Sequence, residues 1–542
     1  MPHLDDLPLE VLLVVLRDLT VDDIIALRLT CKALHALTYA RSVWHDALYL
    51  HLVSRGLPVP NVRERSLASL SSGELEDLAR GALRLRKNWT SPTPIPMRSY
   101  QLSVAPQASG ARPRVLALFS LPGRGNRYLI SLTLLDQGAR PRTYKIDCWD
   151  LRSPDRSAIA TYKCKDLFST AVNADPHHSH VFSITRRTDF RLMYVCFYIF
   201  LLGLDLNCAV AEDAFTEGVT FPSFKHSLLF RGSTFLATDA SHHVRVFNTE
   251  TGLLHYILRT PLIHEDLTIQ LDEYRCLNTY TIDDFVLVFR QQWIHLYHLP
   301  PVASTPLASE EIQPLELLPI AEHKWLWRID TLTVLPQKLH PLLPQFVCHA
   351  NEEQPPGRVP PPLCLLIRFD SWYPWPVNIL HQFILSPNPQ YKLGTRNPLY
   401  SPSFCRPYMV TSLPSPLRIF TPSDAIVGAY GTALWLDAQT DTAVPAQAAD
   451  RGQRIAGKVL HFVPPSTQTG DVAQTTPRHA VNLEAPSAHP SDGDGGEEVE
   501  GRIAVFHMQE ESDTWAKLAL SDEEGRIAIG CTDGRIFVHE YA

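Results

Sequence analysis

Histidine is the side chain best suited to metal binding and to proton transfer near neutral pH, and this sequence gathers it in two places. His177, His178 and His180 fall within ADPHHSH (174–180), and His242 and His243 are adjacent. A zinc site needs further His or Cys at ligand spacing. None of the ten Cys (31, 148, 164, 196, 208, 276, 348, 364, 405 and 531) is close in sequence, and no two form a CxxC pair. The clusters therefore point to solvated loop. LPGRGNRY (121–128) contains GxG, but it precedes a strand pattern, and it lacks the third Gly and the Lys of a phosphate cradle. It reads as a turn entering a β unit. No GxSxG, HExxH or catalytic-Cys signature is present, and no Cys is singled out by an electropositive setting that would make it a reactive thiolate. The sequence thus implies no catalytic residue, no metal and no cofactor.

What remains is the chemistry of surfaces. Residues 7–16 read LPLEVLLVVL in a chain of 542 residues with net charge -8. A secretory signal is excluded, because Asp5 and Asp6 stand where positive charge belongs and Arg17 and Asp18 follow the apolar run directly. The run is too short to span a bilayer. A second apolar run, LMYVCFYIFLLGL (192–204), is 13 residues closed by Arg191 and Asp205, and its Tyr, Val, Phe and Ile suit a buried strand pair. Lys+Arg of 49 against Asp+Glu of 57 gives no general attraction to nucleic acid or anionic membrane. Unpaired, mostly buried cysteines fit reduced thiols, so an intracellular protein of cytoplasm or nucleus is expected.

Three helices are expected in residues 5–53. The first runs from Pro8, suited to a first helical position, to about Leu19, with Val11, Leu12, Val15, Leu16 and Leu19 on one apolar face. The second follows TVDD (20–23), where Thr20 and Asp23 can cap reciprocally, and carries Ile24, Ile25, Leu27, Leu29, Cys31, Leu34 and Leu37. The third is SVWHDALYLHL (42–52). The first two are apolar over more than half their circumference, and a unit of about fifty residues cannot bury that much surface against itself. The excess requires a partner. Self-association or a larger helical core would meet the same need.

The string Leu7-Pro8-x-Glu10-Val11-Leu12, then Val15-Leu16, Leu19, Asp23-Ile24-Ile25-x-Leu27-Arg28, Cys31-Lys32-x-Leu34, Leu37 and Val43-Trp44-x-x-x-Leu48, resembles an F-box over residues 4–50. Leu34 departs from the family, where an aromatic is common. The resemblance implies docking to the Skp adaptor of cullin-RING ubiquitin ligases. It also implies that Leu7, Pro8, Glu10, Val11, Leu12, Val15, Ile24, Cys31, Lys32, Val43 and Trp44 form or support the adaptor-facing surface. A further helix is expected in LSSGELEDLARGALRLRKNW (70–89), where Ser71 and Glu74 make a capping box and Leu75, Leu78, Ala79, Ala82 and Leu83 share a face. It resembles the linker helix of fungal F-box proteins, and TSPTPIP (90–96) ends it.

From residue 97 the pattern becomes short alternating strands. YKIDCWDL (144–151), HVRVFNTETG (243–252), WIHLYHLP (293–300), TALWLDAQT (432–440) and GRIFVHEYA (534–542) align as the last strand of a repeated unit, each preceded by another apolar strand. Ile146 to Val244 is 98 residues and Val244 to Ile294 is 50, which fits a unit of about fifty residues, the range of propeller blades. CWDL and DGRIFVHE resemble degenerate WD-repeat blades.

The expected organisation is an F-box (1–55), a helical linker (56–96) and a divergent β-propeller (97–542) of about seven or eight blades. Two stretches stand apart from that core, a Pro-rich loop at 351–362 and a disordered, acidic insertion at 464–501. The fold class is α plus mainly β. The resemblance implies a non-catalytic substrate receptor of a ligase, with a protein substrate on the propeller. A scaffold that uses its F-box outside a ligase fits the same residues.

Overall fold

The computed structural model describes residues 7–542 apart from 63–65, 103–112, 124–125, 137, 139–140, 189–195, 224–225, 262–272, 302–312, 338–359, 371–376, 392–396, 404, 417–422, 439–451, 461–502 and 511. The stretch expected to be disordered, 464–501, and most of the Pro-rich loop lie outside the described residues.

The N-terminal unit is built from α1 (Leu9–Asp18), α2 (Val21–Arg28), α3 (Lys32–Leu37) and α4 (Arg41–Leu48), which runs on as a π-helical turn, Tyr49–Val53. Pro8 is the residue before α1, its carbonyl accepting from Val11 N and Leu12 N, so the helix starts one residue later than expected. Thr20 and Asp23 form the reciprocal capping box. The expected second helix is two. Thr30 turns its hydroxyl to the Leu27 carbonyl at 2.7 Å, a local bond that competes with helix continuation, and Cys31 is extended at φ -150, ψ 164.

The long helix α5 (Ser72–Trp89) opens with the Ser71–Glu74 capping box. Its residues serve two cores. Leu75, Leu78, Ala79 and Ala82 complete the helical cluster around Leu16, Ile24, Trp44 and Leu48. One turn on, Leu85 and Trp89 enter a β cluster with Phe506, Trp515 and Tyr541. Trp89 meets Phe506 and Tyr541 edge-on, at centroid distances of 5.7 and 6.0 Å.

The strands form seven sheets, six of four strands and one of five. In chain order the blades span 114–165, 167–223, 226–258, 276–324, 329–416, 425–509 and 515–540. The seventh takes its outer strand, Arg98–Gln101, from the start of the β region, pairing with Ile536–Glu540 and closing the ring. One apolar cluster lies between each neighbouring pair of blades, seven in all: first with second, second with third, third with fourth, fourth with fifth, fifth with sixth, sixth with seventh and seventh with first. Each blade is thus half the core of both neighbours, which a closed ring achieves without exposing two sheet faces. Blade three gains its fifth strand, Leu315–Leu317, from the chain between the third and fourth strands of blade four.

The aligned hairpins are the second and third strands of blades one, three, four and seven. In blades one, three and four they are therefore not the last strands, since an outer strand follows each; in blade seven the aligned strand is the last in sequence, and the outer position is filled by Arg98–Gln101. TALWLDAQT belongs instead to the second strand of blade six (Thr432–Ala438), so that alignment is one strand out of phase. The 98-residue gap is two blades. LMYVCFYIFLLGL supplies a single strand, Cys196–Leu204, and residues 192–195 lie outside the described set. Trp149 of CWDL is buried and its Nε1 donates to Ser131 Oγ at 2.8 Å, tying the third strand of blade one to the second. The TDG turn closes with Gly534 N donating to Cys531 O at 3.2 Å and Gly534 at φ +85, the left-handed position glycine fills at no steric cost.

Candidate functional site

Helix α1 is two-sided. Leu12 and Leu16 are buried in the helical core. Leu9, Val11, Val14 and Val15 are 54, 43, 63 and 38% exposed, and Leu7, just ahead of the helix, is 38% exposed. Positions 7, 11, 14 and 15 recur at helical spacing and so form one solvent-facing apolar stripe. Leu29, at the turn between α2 and α3, is 82% exposed. Apolar side chains scattered singly on a surface need no explanation, whereas a contiguous stripe on one short helix is a candidate interaction surface.

The eleven site residues expected from sequence divide into two groups. Leu7, Pro8, Glu10, Val11, Val15 and Lys32 reach solvent, and Cys31 is half-buried beside Lys32. Leu12, Ile24, Val43 and Trp44 are interior. Ile24 and Trp44 are 0% exposed, so they shape the site from beneath. Sequence reasoning left Leu9, Val14 and Leu29 out of the site. The signal for the first two was present, because a helix apolar on all sides has an outer face as well as an inner one.

A buried polar cluster sets the angle of this unit on α5. Arg28 donates from Nη1 and Nη2 to Oε1 and Oε2 of Glu76, both at 2.9 Å, and from Nε to Thr38 Oγ1 at 3.0 Å. Its guanidinium lies 4.2 Å from the Tyr39 ring centroid, and Trp44 Nε1 donates to the Thr38 carbonyl at 2.8 Å. Arg80 adds a second cation to Glu76 at 3.2 Å. Burial alone would raise the Glu76 pKa; the hydrogen bonds and charge of Arg28, with Arg80, outweigh it and hold the carboxyl below its usual range. The bond to Glu76 in turn raises the Arg28 pKa. A bidentate guanidinium–carboxylate pair fixes orientation as well as distance, so the exposed stripe has a defined direction relative to α5 and hence to the propeller.

No group of three or more His, Cys, Asp or Glu able to hold a metal ion occurs among the described residues. His177 is exposed on the loop between the first two strands of blade two, where His180 N donates to His178 Nδ1. Of the GxG segment, Gly123 lies between the first two strands of blade one at φ +70, with Asn126 N donating to its carbonyl, and residues 124–125 lie outside the described set. Buried Cys164 and Cys531 are both pushed up to about 12 by loss of solvent, the opposite of what a nucleophilic thiol requires. No described helix is long and apolar enough to cross a membrane.

Residues 4–48 match the F-box-like family model. No curated protein matches the chain. Among solved structures it is similar to the crystal structure of the β-propeller domain of Cps50 (Swd1) from Myceliophteria thermophila, at 10% identity and a TM-score of 0.38, covering 82% of this chain and 99% of that one. The chain is an F-box-like domain joined to a seven-bladed β-propeller.

Proposed function

We propose that this chain is the substrate-recognition subunit of a cullin-RING ubiquitin ligase, docking the Skp adaptor with its F-box and holding a protein substrate on its propeller. The observation that carries the reading is the apolar stripe on α1, with Leu29, on a unit whose core is already complete without those residues. An apolar face of this kind gains the area term, about 25 cal/mol per Å² removed from water, only when a partner covers it. Of the residues expected at the adaptor surface, Leu7, Pro8, Glu10, Val11, Val15 and Lys32 are proposed to touch the adaptor, joined by Leu9, Val14 and Leu29. Leu12, Ile24, Val43 and Trp44 support them, and Cys31 bridges the two groups.

The mechanism is proximity. Tethering raises the effective concentration of a substrate lysine beside the conjugating enzyme, with no acid–base step from this chain. The shared helix α5 supports this reading, because a helix built into both cores transmits position without slack. The site of action is proposed to be the cytoplasm or nucleus, where such ligases work.

The test is co-expression of the full chain with the adaptor and cullin, followed by purification on the chain. A stable complex is expected with the natural sequence. Val11→Asp with Val14→Asp should abolish it while thermal unfolding of the chain stays within about 1 kcal/mol, since both positions are exposed. Trp44 is unsuitable for this purpose, because replacing a fully buried side chain damages the unit itself. Retention of the complex by the double variant would contradict the reading.

A further inference from the structure

The extra strand of blade three is borrowed from its neighbour. The chain leaves the third strand of blade four, Trp293–His298, lays Leu315–Leu317 on the outer edge of blade three, and returns as the fourth strand of blade four, Ala321–Lys324. Tyr256 pairs with Leu315, Ile257 with Glu316 and Leu258 with Leu317, and the pairing is parallel. Parallel ladders are slightly weaker per residue than antiparallel ones. Beyond the ladder, Arg259 N donates to the Leu317 carbonyl at 2.9 Å.

This strap gains little from where it lies. Leu317 packs into the apolar cluster of Val244, Leu258 and Tyr297, whereas Leu315, Leu318 and Ile320 are 49, 64 and 51% exposed. The Arg259–Glu316 ion pair joins two solvent-exposed side chains, and such pairs add little. Pro314 and Pro319 bracket the strap, and proline has no N–H to extend a ladder. The edge beneath is longer than its occupant: Leu254 and His255 of the strand Leu254–Leu258 have no partner residue in the ladder. An unfilled sheet edge takes a further strand through main-chain bonds, with alternate side chains setting specificity. We infer that the outer edge of blade three is a strand-addition site for an extended apolar segment of a partner protein, laid parallel to Leu254–Leu258, and that Leu315–Leu317 is a strap that holds this site closed until the segment displaces it. A tethered strand competes at an effective concentration of about millimolar. The partner overcomes it by being free of the bracketing prolines and pairing along the whole of Leu254–Leu258. Neither adaptor nor cullin enters this site, so it stands or falls apart from the ligase reading.

The test is fluorescence anisotropy on the full chain. The probe is a labelled peptide of residues 313–320 with Val in place of both prolines, and a peptide of the same composition in scrambled order is the control. The natural chain is compared with Glu316→Ser/Leu317→Ser, which loosens the strap. The ordered peptide should bind the loosened variant at least about tenfold more tightly than the natural chain, because the tethered competitor has been weakened. The scrambled peptide should bind neither. Thermal unfolding is followed on each chain. Should the double variant fail to fold, Glu316→Pro takes its place, since it breaks the strap at a solvent-exposed residue. No binding to the loosened chain, equal affinity for the natural and loosened chains, or equal binding of the scrambled peptide would each overturn the inference. So would unfolding of Glu316→Pro, because the segment would then be a fixed part of the blade.

Discussion

At the residue scale, Glu76 is the most exacting position. It accepts both terminal nitrogens of a half-buried Arg28 while itself 7% exposed. Glu76→Ala leaves that guanidinium without its counter-ion, and removing one partner of such a pair costs about 3 kcal/mol. The expected outcome, read by denaturant unfolding followed at Trp44 and Trp89, is early loss of the helical unit with the propeller transition nearly unmoved. The pH dependence follows from sign. A carboxyl whose folded pKa is depressed adds stability that is complete above its unfolded value, about 4.3, and is lost as pH falls through the lower folded value. The helical unit should therefore hold constant stability from neutral pH to about 5, weaken below about 4.3, and lose that contribution in Glu76→Gln. A variant whose stability follows pH as the natural chain does would show that Glu76 is not the group responsible.

At the element scale, α5 decides how the two units relate. Gly525 sits at φ +61, and a Cβ there would lie 2.5 Å from Leu85 Cδ1. Gly525→Ala adds backbone strain and a clash, together about 1–3 kcal/mol. It should loosen the end of α5 and open Arg84 and Lys87 to trypsin. Leu85→Ala in the same chain makes room, so the double variant should be less damaged than the sum of the singles, the coupling expected of touching side chains. Simple additivity would mean that α5 does not press on this turn. The elements also show what a sequence discloses. Both capping boxes and the apolar face of α5 were legible, because each depends on neighbours within four residues. The break at Thr30 was not, because an apolar pattern continued through it and only a local hydrogen bond ended the helix. Leu85 and Trp89 lay off the expected face of α5, since their partners, Phe506 and Tyr541, are more than 400 residues away. Arg28 could be matched to the F-box pattern, but nothing in its neighbourhood announced Glu76.

At the scale of the whole molecule, ring closure was foreseen from strand periodicity, yet blades two and five escaped the repeat. Blade five contains long connections that dilute the period, and the third strand of blade two is apolar at nearly every position, Cys196–Leu204, so alternation is hidden. Closure by Arg98–Gln101 places the linker immediately before the strand that seals the ring. The propeller cannot therefore be cut away at residue 90 without removing Trp89 from the sixth–seventh core, and a separable propeller should begin before Ser72. The exposed face of α1 is proposed above as the surface that the adaptor covers. Backbone hydrogen exchange of the full chain, with and without the adaptor, tests it most directly. Residues 9–18 and the turn at 29–32 should become protected on addition of the adaptor, with the seven blades unchanged. Unaltered exchange in α1 at saturating adaptor would contradict the account.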